Sequence, residues 1–96
     1  MGKFLQIIEY QTSRFDEVRA LGESQRDSGS LARRVIVTAD RERPGTYLTI
    51  VEFDSYESAM QNSSRPETQA FAEQMQKLAD GPPTFYNLDV QDEFDM

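Results

Sequence analysis

Short runs dense in β-branched and aromatic residues alternate along this chain with stretches in which apolar residues return every third or fourth position. Phe4-Leu5-Gln6-Ile7-Ile8-Glu9-Tyr10 is a run of the first kind and predicts a strand. Ser13 then stands three residues ahead of Asp16 as a capping pair, and Phe15, Val18, Leu21 and Gly22 share a stripe, so a helix follows, closed by Ser28-Gly29-Ser30. Arg33 to Ala39 and Tyr47 to Phe53 predict the two strands of a hairpin, with Pro44-Gly45 supplying a fixed φ and then a residue free to take positive φ. Asp54-Ser55-Tyr56-Glu57 opens a second helix and Asn62-Ser63-Ser64 interrupts it. Ser64-Arg65-Pro66-Glu67 restarts it with Pro in the first turn, where a missing N–H costs nothing. Phe71, Met75 and Leu78 recur at i, i+4 and i+7, Gly81 with Pro82-Pro83 stops the helix, and a last strand is predicted over 84–90.

The order βαββαβ is the ferredoxin-like, split-βαβ plan of the α+β class. Right-handed crossovers put both helices on one face of a four-stranded antiparallel sheet and leave the other face bare. The strands nevertheless carry apolar residues at both parities: Phe4, Ile8 and Tyr10 against Leu5 and Ile7, Val35 and Val37 against Ile36, Val51 and Phe53 against Leu48 and Ile50, Phe85 against Leu88 and Val90. Exposing either set would exceed the few hundred Å² of contiguous apolar surface that soluble monomers tolerate. The expected partner is therefore a second copy, packed sheet on sheet in a two-fold homodimer.

Composition narrows the chemistry. The 96 residues leave room for one domain, placed over 1–91, with an acidic and loose tail at 92–96. Seventeen acidic against ten basic residues give a formal charge of −7, which repels phosphate backbones and anionic lipids, so neither nucleic acid nor a membrane surface is an expected partner. No apolar run approaches the ~20 residues of a membrane helix and no signal-peptide pattern opens the chain, so a cytoplasmic location is expected. Without Cys or His, disulfides, thiol chemistry, the usual zinc sites, imidazole catalysis and the commonest haem ligand fall away. Asp89, Asp92, Glu93 and Asp95 lack the ordered alternation with Gly of a calcium loop, and no nucleotide-binding glycine pattern occurs, so neither a metal nor a cofactor is expected. The basic patch of Arg33, Arg34, Arg41 and Arg43 is expected to pair with the acidic tail, its own or that of a second copy.

Val51-Glu52-Phe53-Asp54-Ser55-Tyr56-Glu57-Ser58-Ala59-Met60, followed by Asn62-Ser63-Ser64-Arg65-Pro66-Glu67-Thr68-Gln69-Ala70-Phe71, resembles the third-strand and second-helix pattern of the dimeric α+β barrels, in particular the antibiotic biosynthesis monooxygenase family. The resemblance covers about half the chain in pattern and nearly all of it in strand order. It implies a pocket between the sheet and the second helix, and a choice among cofactor-independent oxygenases of polycyclic phenols, haem-degrading monooxygenases and cyclases. The haem-degrading members use an Asn on the first strand, a Trp near the helix break and a His on the second helix. The corresponding positions here are Gln6, Asn62 and Phe71, and a Phe cannot ligate iron. Cyclases with a His base are excluded by the same absence.

What remains is a cofactor-independent oxygenation of a small aromatic metabolite, in a pocket lined by Gln6, Tyr10, Asn62, Phe71 and Met75, or a dimer that binds a small hydrophobic molecule or a partner protein without turnover. Gln6, an amide on an apolar strand face, either holds a substrate oxygen or bonds to loop backbone. Asn62 either reaches the pocket mouth or ends a helix, the commoner use of Asn before Ser-Ser. Arg65 could neutralise an anion at the rim, although solvent is the commoner neighbour at a helix start. Tyr10, Tyr47 and Tyr86 read as packing residues with a hydroxyl at an edge, and Tyr56 as a surface or staple residue. An acid-base role for any tyrosine requires a pKa well below ~10. Phe71 and Met75 are a helix stripe and pocket wall at once.

Overall fold

In the computed structural model, which describes residues 2–26 and 29–96, the chain runs β1 (Phe4–Gln11), α1 (Phe15–Glu23), β2 (Arg34–Ala39), β3 (Thr46–Phe53), α2 (Tyr56–Ser63), α3 (Pro66–Leu78) and β4 (Thr84–Asp89). The strands form one antiparallel sheet in the order β2-β3-β1-β4, the ferredoxin-like arrangement. The register aligns Phe4 with Phe53, Gln6 with Val51, Ile8 with Thr49 and Tyr10 with Tyr47 on one face. Leu5, Ile7, Leu48, Ile50, Ile36, Tyr86 and Leu88 share the other face.

The first face is the one under the helices, because Phe4 and Phe53 form the core cluster with Ala59 of α2, and Ala32 and Val51 pack against it. The small Ala59 lets α2 come close to the two rings, and Tyr56 adds an edge-on contact to Phe4 at 5.4 Å and 78°. At the far end of β1, Phe15 of α1 stacks on Tyr47 at 4.1 Å, and Tyr47 stacks on Tyr10 at 5.9 Å. Just past that far end lies Thr12, a buried polar residue. Its hydroxyl donates to the Leu78 carbonyl at 2.7 Å and accepts from the Arg14 N–H, while its own N–H donates to Gly45. One threonine thereby ties β1, the start of α1, the end of α3 and the hairpin loop together.

Local signals decided most element boundaries. Gly45 takes φ +86°, as the Pro-Gly pair predicts, and Pro66 occupies the first turn of α3. Ser55 caps α2 by accepting from the Ser58 N–H at 3.1 Å. Ser13, by contrast, does not cap α1: Arg14 is the N-cap residue and no side chain caps it, because the burial of Thr12 sets the path of the chain and leaves Ser13 exposed on the bend. Replacement of Ser55 by Ala should cost about 1 kcal/mol in chemical denaturation, whereas Ser13→Ala should stay within ~0.5 kcal/mol of the parent.

The second helix of the βαββαβ reading is two helices, making the order βαββααβ. Its end also moves: α3 stops at Leu78, with Ala79 extended, so Gly81 lies beyond the stop and takes no positive φ. The Asp80 N–H donates to the Gln11 carbonyl at 2.8 Å, and this tie to β1 ends the helix early. Likewise α1 ends at Glu23, and the expected closure at Ser28 lies outside the described residues.

Within the chain, Arg33, Arg34 and Arg43 find acids in the sheet and its loops and not in their own tail. Arg33 pairs with Asp54 at 3.0 Å, Arg34 with Glu52 at 3.5 Å, and Arg43 with Asp40 at 2.8 Å and Glu9 at 3.1 Å. The tail acid Glu93 reaches Lys3 at 3.0 Å, next to a backbone bond from the Val90 N–H to the Lys3 carbonyl.

Candidate functional site

Alternation along β1 puts Gln6 and Ile8 under the helices, and the register sets Gln6 between Val51 on β3 and Asn87 on β4. The Gln6 amide donates through Nε2 to Asn87 Oδ1 at 3.1 Å. Asn87 Nδ2 and Gln6 Oε1 remain as one donor and one acceptor side by side, among the apolar neighbours Ile8, Val51 and Phe85. Gln6, Ile8, Thr49 and Val51 are all only half-buried, although they sit in the middle of the sheet on its covered side.

The helix above this floor is loosely seated as well. Thr68, Phe71, Met75 and Leu78 are the half-buried positions of α3, at helical spacing on one stripe, and α3 buries no residue fully. A stripe and a floor that are both half-exposed leave the layer between α3 and the sheet loosely packed. It is open at its sides: Val35 and Val37 on β2 and Phe85 on β4, all helix-side residues of edge strands, are more than half exposed. The two best-formed recesses lie elsewhere. One, of about 230 Å³, is on the uncovered face among Leu5, Ile36, Ile50 and Val90, and the other, of about 370 Å³, lies beside Asp80 and Pro82 after α3.

The five candidate lining residues fall into three groups. Gln6 and Tyr10 share the helix-side face of β1, and Phe71 and Met75 lie one turn apart on α3. Asn62, in the last turn of α2, is engaged as an acceptor: its Oδ1 takes the Leu31 N–H at 2.9 Å, the Ser30 hydroxyl at 3.3 Å and Arg65 Nη1 at 3.4 Å. It clasps the segment leading into β2 onto the junction of α2 and α3. Arg65 belongs to the same clasp and also reaches Glu67, at 3.6 Å.

Neither Tyr10 nor Tyr86 is poised as a base. Burial pushes the Tyr10 phenol above its ordinary value, against a smaller opposing effect of its hydrogen bond with Thr49. Tyr86 is also raised, because its phenol donates to the Glu9 carboxylate at 3.0 Å on the uncovered face. Asn87 is the residue that reading the sequence missed. It occupies the parity of Phe85 in β4, and only the pairing of β4 with β1 in this register sets it against Gln6.

The architecture belongs to a known class of fold. A conserved protein from Methanosarcina mazei superimposes with a TM-score of 0.82 at 12% identity, covering 95% of both chains. A Deinococcus radiodurans protein assigned provisionally to the antibiotic biosynthesis monooxygenases superimposes at 0.77 and 12% identity over 97% of both. SnoaB, a cofactor-independent oxygenase from Streptomyces nogalater, superimposes at 0.79 and 10% identity over 100% of both. The chain thus has the ferredoxin-like α+β fold of the antibiotic biosynthesis monooxygenase structures, and identities this low establish the fold alone. No family model and no curated protein matches the sequence. Among the described residues, no helix is long and apolar enough to cross a membrane.

Proposed function

We propose that this protein is a cofactor-independent oxygenase of a compact, electron-rich hydroxyaromatic molecule, bound in the cleft between α3 and the sheet. The observation that carries the reading is the Gln6–Asn87 amide pair at 3.1 Å, set in an otherwise apolar floor. A flat apolar ring would lie between that floor and the Phe71–Met75 stripe, with its hydroxyl oxygen on the amides. Asn87 Nδ2 donates to the phenolate oxygen in a cleft that stays open to water at its sides. The substrate itself supplies the electrons: a phenol and dioxygen give a quinone and water, one oxygen atom forming the new carbonyl and the other leaving as water. No side chain need be oxidised. With the Tyr10 phenol held protonated, water at the open side of the cleft takes the substrate's proton. In this reading a second copy covers the uncovered face of the sheet, where Ile36, Tyr86 and Leu88 are each at least 40% exposed.

Oxygen uptake with a panel of hydroxylated polycyclic aromatics, without added metal or flavin, tests the activity. Asn87→Ala should lower turnover about 100-fold, in the range for loss of an oxyanion donor, and Gln6→Ala should lower it by releasing Asn87 from its hydrogen bond, both with an unchanged Tm. Asn62→Ala should instead lower Tm through loss of the clasp. Equal turnover in Gln6→Ala and the parent would overturn the assignment of the amide pair. The raised phenols of Tyr10 and Tyr86 favour a second reading, a dimer that binds such a molecule without turning it over. A stoichiometric ligand recovered chemically unchanged in native mass spectrometry, with no oxygen uptake on the panel, would select it.

A further inference from the structure

We propose that Asp89 and Tyr56, which both border Phe4 on the helix side of the sheet, form a site for an organic ammonium group, so that the molecule held on the Gln6–Asn87 amides is a hydroxyaromatic amine. The proposal rests on the reading that this amide pair holds the ligand's hydroxyl, and it adds the charge that the ligand carries.

Three strands carry one acid each, Glu9 in β1, Glu52 in β3 and Asp89 in β4. Glu9 is taken by Arg43 and Tyr86, and Glu52 by Lys3 and Arg34. Asp89 is exposed and makes no hydrogen bond or ion pair within the described residues. Strands disfavour aspartate, so pairing within the sheet does not explain its presence there. The Val90 N–H bond to the Lys3 carbonyl marks 3 and 90 as a hydrogen-bonded pair. Phe4 with Asp89 and Gln6 with Asn87 are therefore the non-hydrogen-bonded pairs, in which facing side chains stand closest. Asp89 thus sets its side chain beside that of Phe4, on the face that carries Asn87 and about 7 Å along the strand from it.

Tyr56 meets the same Phe4 ring at 5.4 Å and keeps its own ring 52% exposed. An exposed aromatic near an unpaired carboxylate is a combination that recognises an ammonium group, the ring through its quadrupole and the acid through its charge. Lys3, the neighbour of Phe4 in sequence, lies on the opposite face, held by Glu52 and Glu93. The net charge of −7 raises the local concentration of organic cations. A para-hydroxyphenyl ring with an amine one or two carbons away has the span from Asn87 to Asp89, hydroxyl on the amides and ammonium on the acid.

Tyramine, N-acetyltyramine and 4-hydroxyphenylacetate share a phenol and differ in charge, and NMR titrations that follow the side-chain amides compare their binding. Tyramine should bind the parent about 5- to 10-fold more tightly than its neutral N-acetyl form, the combined effect of one exposed ion pair and one cation–π contact, and the acid should bind least. Asp89→Asn should abolish that preference. Asp16→Asn, an equal change of net charge on α1, should preserve it. Tyr56→Leu should reduce it about threefold. Equal affinities of tyramine and N-acetyltyramine for the parent, or a preference unchanged in Asp89→Asn, would overturn the ammonium site and leave the amide pair standing. No binding of any of the three would likewise end the ammonium site, whereas binding that Asn87→Ala does not weaken would overturn both.

Discussion

Under the proposed sheet-face pairing, Ile36→Arg is expected to give a folded protein that sediments as a monomer at concentrations where the parent would pair. Ile36 is 40% exposed on edge strand β2, opposite Ile50, so a long side chain there can reach water and the subunit keeps its fold. In a two-fold pair the substitution enters twice, and each guanidinium meets the apolar floor of Leu5, Ile50 and Val90, in a recess whose rim carries Lys3, Arg34, Glu52, Asp92 and Glu93. An unpaired charge held against such a surface costs several kcal/mol, so a dissociation constant raised 100-fold or more is the expected reading of sedimentation velocity. Val35→Arg is the control, because Val35 lies on the helix side of the same strand and is already 55% exposed. If both variants paired like the parent, the uncovered face would not be the interface.

Phe53→Ala is expected to be the most destabilising single truncation in the chain. Phe53 is 3% exposed and packs against Phe4 and Ala59, and the buried apolar set is small: beyond those three, only Tyr10 and Val18 belong to it among the described residues. Removing a buried phenyl group costs about 3–5 kcal/mol through lost burial and the cavity left behind. Chains of this length have total stabilities of roughly 5–14 kcal/mol, so the variant loses a large part of its margin. Urea denaturation at fixed protein concentration should show a lower midpoint with an unchanged slope. A shift below 1 kcal/mol would mean that the Phe4–Phe53–Ala59 cluster is not the core.

The elements with strong local chemistry were legible before any coordinates. Pro44-Gly45 made the hairpin loop, Ser55 the cap of α2, and Pro66 the start of α3, because each acts within a few residues of itself. Where distant groups competed, local reading failed. Ser13 has the composition of a cap, yet burial of Thr12 against Leu78 and Gly45 overrides it. Gly81 is a fitting stop signal, yet the bond from Asp80 to Gln11 ends α3 first. Arg33, Arg34 and Arg43 suggested a docking patch for the chain's own tail or that of a second copy, and in place of its own tail the sheet supplied nearer acids in Asp40, Glu9, Glu52 and Asp54.

By itself, the amino-acid order determined that strands and helices follow the ferredoxin-like succession and that the strands are apolar on both faces, since both properties reside in the spacing of neighbouring side chains. It also determined that no imidazole or thiol could take part in the chemistry. Only the tertiary structure decided that Gln6 meets Asn87, 81 residues away. It alone gave Asn62 its hold on Leu31, and it alone raised the Tyr10 phenol above its ordinary value. Those outcomes depend on register and burial, which arise when β1 pairs with both β3 and β4. A shift of one residue in either pairing would turn the same side chains to the opposite face.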